Sequence, residues 1–436
     1  MKEELRDLIT RFQSWLLLPD PSPVLVVLAT VAANFETGRP VWLLLLGPPS
    51  SGKTEILQTL ERIPKIFPAS DLTVGGLLSG SKRSERRPES KGGLLGEISD
   101  FGIIVCKDFG SVLNMRAESR QAVLMALREI YDGHWIRYLG NDGGTKFEWH
   151  GKVGFIGAST PSIDRHHALM NVMGERFTFL RMPPVNAEEQ AKRALDNENE
   201  AEDRESEIAD AVTQFFGSLS LKEFPLRRSD SENQLLIALA TFAATCRTAT
   251  ERNNYSREIE IAPEPERPAR LVKVLDRLRA GMVTIGMDRD EIWPVVQKVA
   301  FDSLPEARSR IIHVLQEAGG NLPNLSELAT ASGCSPSTTR RHLEDLEHYG
   351  VISRRKGGSS RGDEYLLSEW AQGKLKAISV IPSESTNGGA PSLPEKSHGA
   401  PVAEEHVTWT RSSGDQGDIS ETSRSGIPHV LGKSEG

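Results

Sequence analysis

The stretch Gly47-Pro48-Pro49-Ser50-Ser51-Gly52-Lys53-Thr54 reads G-x-x-x-x-G-K-T, the phosphate-binding P-loop. Its chemistry is narrow, and so is the fold that can carry it. A glycine-rich turn must aim successive backbone N–H groups at phosphate oxygens. A lysine must reach the β/γ-phosphates, and a hydroxyl must bind Mg²⁺. Lys53 and Thr54 fill the last two roles. Both flanks agree. Val41–Leu46 (VWLLLL) reads as a buried parallel strand. After the loop, Ile56, Leu57, Leu60 and Ile63 recur at helical spacing until Pro64 stops the helix. Strand, loop and helix N-terminus together predict an α/β fold that binds ATP and Mg²⁺. The competing reading, a chance match in a glycine-rich loop, has to explain both flanks by accident.

The chain of 436 residues has room for two or three domains. A hydrophobic share of 38% and a mean hydropathy of −0.35 fit a globular protein with some disorder. Cys106, Cys246 and Cys334 are far apart and show no metal spacing, which argues for reduced thiols and a cytoplasmic setting. MKEELRDLITRFQSW is no signal peptide. The apolar runs at 16–19 and 24–33 are too short to span a bilayer, so no membrane partner is expected. With a net charge of −8, any nucleic-acid contact must be a local patch.

The chain divides by pattern. Residues 1–40 read as two amphipathic helices around the Pro19–Pro23 break. Residues 41–185 alternate strands and helices, with strands expected at Val41–Leu46, Ile103–Cys106, Val153–Ala158 and Thr178–Met182. Residues 186–300 read as a helical lid with a charged, solvated face, and 301–378 as a small helix-turn-helix unit. Residues 379–436 lack apolar periodicity and read as a disordered tail.

A P-loop ATPase needs a carboxylate at the tip of a neighbouring strand. The strand Gly102–Cys106 ends in Lys107-Asp108, so Asp108 is the only carboxylate at that tip. In one register Asp108 acts on the attacking water, and Lys107 stands where a metal-side acid would be. In the other register Asp108 serves Mg²⁺. A surface Lys-Asp pair without a role is the third reading. The strand Val153–Ala158 runs into Ser159-Thr160-Pro161, where Thr160 either meets a γ-phosphate or caps the next turn.

Taken together, these motifs resemble the AAA+ ATPases, and within them the minichromosome-maintenance helicase branch, over roughly residues 22–300. The resemblance implies a P-loop AAA+ parallel-sheet core with an α-helical lid, and self-association into a hexameric ring. It makes Thr160 the sensor 1 residue. Arg176, in Gly174-Glu175-Arg176-Phe177, becomes an arginine finger for a neighbour's ATP site. Arg270, in Arg270-Leu271 ahead of Arg277-Leu278, becomes the phosphate-facing sensor 2 residue. Gly93-Leu94-Leu95-Gly96-Glu97 is also similar. Lys107 departs from the family, and no long N-terminal DNA-binding domain is expected ahead of the core. Charge logic supports cations here, because phosphoryl transfer places negative charge on the γ-phosphate oxygens. Pairing of Arg176 within its own subunit, and an ordinary helix-surface place for Arg270, are the alternatives.

His134–Tyr138 and Lys146–Trp149 flank Asn141-Asp142-Gly143-Gly144, a hairpin signal. Arg137, Tyr138 and Lys146 are candidate nucleic-acid contacts, against a hairpin merely packed by its tryptophans. His166-His167 reads as surface. Further on, Leu325–Ala329 starts a helix that ends near Gly333, and Ser335 caps a second helix with Pro336 at its first position. Thr339, Leu343 and Leu346 form its inner face, leaving Ser337, Arg340 and Arg341 for base edges. Arg354, Arg355, Lys356 and Arg361 make a basic wing for phosphates. This unit resembles a winged helix, with protein contact as the competing use.

The sequence therefore predicts an ATP-hydrolysing enzyme: an oligomeric AAA+ ATPase that acts on DNA as a helicase or remodelling motor. The alternatives are an ATP-switched DNA-binding regulator with little hydrolysis, or a protein remodeller whose winged helix or tail meets a protein partner.

Overall fold

The computed structural model describes residues 1–79, 93–139, 145–166, 176–220, 228–253, 255–256, 258–319, 322–357 and 362–380. The Asn141–Gly144 turn, Gly174 and Glu175, His167, Arg361 and the tail from 381 lie outside them.

A five-stranded parallel sheet forms the centre. Its strands are β1 (Trp42–Leu46), β2 (Ile66–Ala69), β3 (Phe101–Cys106), β6 (Lys152–Ser159) and β7 (Phe177–Arg181), with β4 (His134–Leu139) and β5 (Thr145–His150) forming a separate hairpin. The spatial order is β2-β3-β6-β1-β7. From β1 the chain jumps to the edge at β2, returns through β3 and β6, and crosses β1 to reach β7. The carboxyl ends of β1, β3 and β6 consequently meet where the strand order reverses, the place where open α/β sheets bind ligands.

Period-two alternation builds a core on each face. Leu43, Leu45, Ile103, Val105, Ile156 and Leu180 pack to one side. Trp42, Leu44, Ile104, Cys106, Phe155 and Phe177 pack to the other. Trp42 anchors the second core, edge-on to Tyr131 at 5.2 Å and donating from Nε1 to the Val153 carbonyl at 2.7 Å.

Helix α1 (Glu3–Trp15) is two-faced as expected, but α2 (Ser22–Phe35) is not. All its residues except Phe35 are buried, so it lies under the sheet rather than on the surface. An apolar helix buried on every side has no polar face to read. Asn34 ties its end to β1: its Nδ2 donates to the Thr30 and Val41 carbonyls at 2.9 and 2.8 Å, and its Oδ1 accepts from Val41 N at 2.9 Å.

The region from 186 to 300 holds helices Ala187–Asn197, Ala201–Ser218, Asp230–Arg247, Ala269–Thr284 and Arg289–Asp302. It also contains a small antiparallel pair, Glu251–Arg252 with Ile259–Ile261, which the helical expectation missed. Helices Glu306–Glu317, Leu325–Ser332 and Pro336–His348 follow. A two-stranded wing, Ile352–Arg355 with Glu364–Leu367, and the Glu369–Ser379 helix complete the described chain. No helix among the described residues is long and apolar enough to cross a membrane.

Candidate functional site

The loop between β1 and α3 (Lys53–Gln58) is held by its own lysine. Lys53 is 8% exposed, and its Nζ donates to the Gly47 carbonyl at 2.9 Å, the Pro48 carbonyl at 2.6 Å and Ser51 Oγ at 2.9 Å. Burial lowers its pKa, opposed by the fields of Glu55 and Asp108. The lysine thus curls the loop around itself at a point where an anion would outcompete neutral carbonyls. Gly52 sits at φ 85°, in the left-handed region that favours glycine. A Cβ on Gly47 would come within 2.7 Å of Met182 Cγ and Ser51 Oγ. Gln190 Nε2 donates to the Ser50 carbonyl at 2.6 Å, pinning the loop from the Ala187–Asn197 helix. Thr54 and Pro49 are exposed. A cleft lined by Leu16, Leu17, Leu18, Ala187 and Ala191 borders the loop at Ser50–Gly52.

Asp108 is exposed just past β3, and its Oδ1 accepts from Gly110 N at 2.9 Å. Phe109 N donates to the Ala158 carbonyl at 2.8 Å, and Gly47 N to the Ser159 carbonyl at 3.2 Å. Those two bonds knit the tips of β3, β6 and β1 together. Lys107 turns away and pairs with Glu61 at 2.6 Å. Thr160 Oγ1 bonds Ser162 Oγ at 2.6 Å, and its carbonyl accepts from Ile163 N at 3.2 Å, the turn-capping arrangement. Its neighbour Ser159 is different. It is 2% exposed, and its Oγ has no hydrogen-bond partner among the described residues. Ser159 lies beside Leu46 in the β1–β6 register, next to the loop that follows β1. Sequence reasoning passed over it. Its position one residue before Thr160, on the opposite face of the strand, was the available signal.

Arg176 lies at the other end of the sheet. Phe177 is level with Trp42 in the parallel β1–β7 pair, so Arg176 is about 20 Å along the strand from Gly47. It is 3% exposed, pairs with Asp132 Oδ2 at 2.6 Å and stacks over the Tyr131 ring at 5.2 Å. Burial lowers its pKa, opposed by Asp132. Arg270 pairs with Glu266 at 3.1 Å, and its charge reaches both Tyr131 and Arg176. The two arginines are therefore grouped with each other, apart from Lys53, Thr54 and Asp108 in the same chain.

On the hairpin, Trp135 and Trp149 are 8% and 6% exposed and form its inner face. Arg137 joins that face, donating to the Val74 and Leu78 carbonyls at 3.2 and 2.7 Å, so it is spent on packing. Tyr138 (69% exposed) and Lys146 face outward.

The carboxyl-terminal unit follows the sequence closely. Ser335 Oγ accepts from Thr338 N at 3.2 Å, with Pro336 first in the helix. Thr339, Leu343 and Leu346 are buried, while Ser337, Arg340 and Arg341 are exposed. The two arginines look different ways. Arg340 borders a groove with Arg354 of the wing, and Arg341 borders a cleft with Arg165 and Arg310. Arg354 is shared by Glu347 at 3.4 Å and Asp363 at 3.6 Å, whereas Arg355 and Lys356 are exposed. The unit is bolted down by Arg308, which donates to the Cys246 and Thr248 carbonyls at 2.7 and 2.6 Å and to Asp345 Oδ2 at 2.8 Å. Arg181, at the tip of β7, bonds Asp164 at 3.0 Å and lies 3.7 Å from Glu306, the first residue of the unit's first helix.

Residues 309–356 match the IclR helix-turn-helix domain, a stretch that runs from the Glu306–Glu317 helix to the first wing strand. Among solved structures, the apo A form of the NrS-1 C-terminal region is similar at 13% identity, covering 84% of this chain and 75% of that one. Its TM-score is 0.25, too low to bear on the fold described above. No curated protein matches the chain. The chain is thus an α/β protein with a five-stranded parallel sheet, and it carries a carboxyl-terminal helix-turn-helix domain of the DNA-binding kind.

Proposed function

We propose that this chain is an oligomeric P-loop ATPase of the AAA+ type that acts on DNA through its helix-turn-helix unit. The observation that carries the reading is the buried Lys53 amine, enclosed by the carbonyls of its own Gly47–Pro48 loop beside Asp108. The residues fit an ATP–Mg²⁺ ligand. Lys53 would meet the β/γ-phosphates, Thr54 and Asp108 the Mg²⁺, and the unpartnered Ser159 Oγ a phosphate oxygen or water. The apolar cleft at Leu16–Leu18 would take the base. Bound Mg²⁺ would supply charge neutralisation at the γ-phosphate. Since Arg176 and Arg270 sit away from the loop, they would serve a neighbouring subunit's phosphates. That requires Arg176 to leave Asp132 when subunits meet.

The test is ATP hydrolysis by the wild type and Lys53→Ala, each with and without single- and double-stranded DNA. Turnover that rises with DNA and falls by about 100-fold or more in the variant is expected. Turnover indifferent to both would sink the reading.

A second reading, an ATP-switched DNA-binding regulator, is favoured by one specific observation. Arg181 links the turn after β6 to the helix-turn-helix unit through Asp164 and Glu306. Nucleotide-dependent DNA binding without measurable hydrolysis would select it.

A further inference from the structure

The hairpin carries a group of side chains that neither the nucleotide nor the DNA reading uses. Antiparallel pairing sets His134 directly across from His150. Residues two apart on a strand share a face, so Glu148 joins them on the outer side, opposite the buried tryptophans. The two imidazoles stack with centroids 4.1 Å apart and planes within 8°. Each Nε2 lies 3.0 Å from the same Glu148 oxygen, Oε1. Among the described residues, these are the three His, Cys, Asp or Glu side chains whose donor atoms all fall within 4.8 Å of one another.

We propose that His134, Glu148 and His150 form a binding site for a divalent transition metal of the zinc, nickel or copper class. Metal–nitrogen and metal–oxygen bonds of about 2.0–2.1 Å require donor atoms roughly 2.9–3.4 Å apart, from octahedral to tetrahedral angles. Both nitrogen–oxygen edges already have that length, and the two parallel rings need to splay so that their in-plane Nε2 lone pairs converge on one ion. The carboxylate is also pre-set. Lys146 Nζ holds Oε2 at 2.6 Å, which leaves Oε1 aimed at the rings, the orienting role that outer partners play in metal sites. Two imidazoles and one carboxylate select borderline metals over Mg²⁺ or Ca²⁺, which take oxygen ligands. Exposure leaves further positions open to water. A bound ion would clasp β4 to β5 at the end of the hairpin away from its turn. The site stands on the hairpin alone and is independent of the nucleotide reading.

The test uses the tag-free full chain, stripped with chelator and kept reduced, titrated with Zn²⁺ alone by calorimetry. Expected is one tight ion per chain, weakened more than about 100-fold in His134→Ala/His150→Ala and about tenfold in Lys146→Met. His150→Asp, which restores an oxygen donor, should recover part of the affinity. Substitution with Co²⁺ should give a visible d–d spectrum without thiolate charge-transfer bands, excluding the cysteines. Circular dichroism checks that the variants fold. Absence of stoichiometric Zn²⁺ in the wild type, or unchanged affinity in the double variant, would overturn the site.

Discussion

Lys107 Nζ lies 2.6 Å from Glu61 Oε1, while the Oδ1 of its neighbour Asp108 accepts from Gly110 N at 2.9 Å. The lysine at the strand tip is therefore engaged with the residues after α3, and Asp108 alone faces Gly110 and Ser159. If Asp108 carries the metal or the water, Asp108→Asn should cut ATP hydrolysis by about 100-fold while nucleotide binding persists. Lys107→Met should leave hydrolysis within about threefold and, because the pair is a third exposed, stability within about 1 kcal/mol. Steady-state turnover and a fluorescent-nucleotide titration on both variants separate the roles. A larger loss in Lys107→Met than in Asp108→Asn would reverse them.

The basic residues of the helix-turn-helix unit are not equivalent. Arg354 already has two acidic partners, whereas Arg355 and Lys356 are exposed. Arg355→Ala and Lys356→Ala should each weaken DNA binding evenly across sequences and reduce the slope of log affinity against log salt by about 0.9. Arg340→Ala should instead change sequence preference, by about 1–3 kcal/mol at one base pair. Anisotropy titrations at several salt concentrations distinguish the two patterns. An unchanged salt slope in the wing variants would place the DNA elsewhere.

Gly281 lets the Ala269–Thr284 helix press its backbone against α2. A Cβ there would sit 2.1 Å from the Ala29 carbonyl oxygen and 3.1 Å from Ala33 Cβ, on the buried helix α2. Both obstacles are rigid, so Gly281→Ala must push Ala269–Thr284 away from α2 and should cost about 3 kcal/mol or more. Gly217→Ala is the matched control. It lies in the Ala201–Ser218 helix with nothing within 4 Å of its Cβ, so better helix propensity should stabilise it by up to about 1 kcal/mol. Urea midpoints for the pair should move in opposite directions.

Local signals in the sequence located most of this architecture, because they need only a few neighbouring residues. The strand Trp42–Leu46, the helix that starts at Lys53, the Ser335–Pro336 helix start and the wing strands are all of that kind. Strand β2 escaped because Ile66–Ala69 contains Pro68 and only a short apolar run. Contacts between distant segments were not legible. Nothing near Arg176 in the chain announces Asp132, and the direction of Arg137 depends on Val74 and Leu78. The His134–Glu148–His150 group was hidden for the same reason. Glu-x-His marks one face of a strand, but only the hairpin register brings His134 opposite.

His342 gives the helix-turn-helix unit a defined acid sensitivity. Burial pushes its pKa down from 6.5 to about 4, helped by Arg308, Arg341 and Arg252 and opposed by Asp345. Its Nδ1 accepts from Arg308 Nε at 3.4 Å, so a proton there would remove an acceptor and add a cation beside three arginines. Between pH 6.5 and about 4 the unfolded chain binds this proton and the folded chain does not. Stability contributed by the neutral ring is thus complete above the unfolded value and is lost as the pH falls through that window. The loss should approach roughly 2–3 kcal/mol by the bottom of the window. Asp345 does not confuse the assignment, because its pKa is lowered from 3.8 and its contribution fails only below that value. His342→Gln keeps an oxygen acceptor for Arg308 without a titrating group. Hydrogen exchange of the Pro336–His348 amides between pH 7 and 4.5, corrected for intrinsic rates, should show protection falling in the wild type and staying flatter in the variant. An identical fall in both would assign the acid sensitivity to another group.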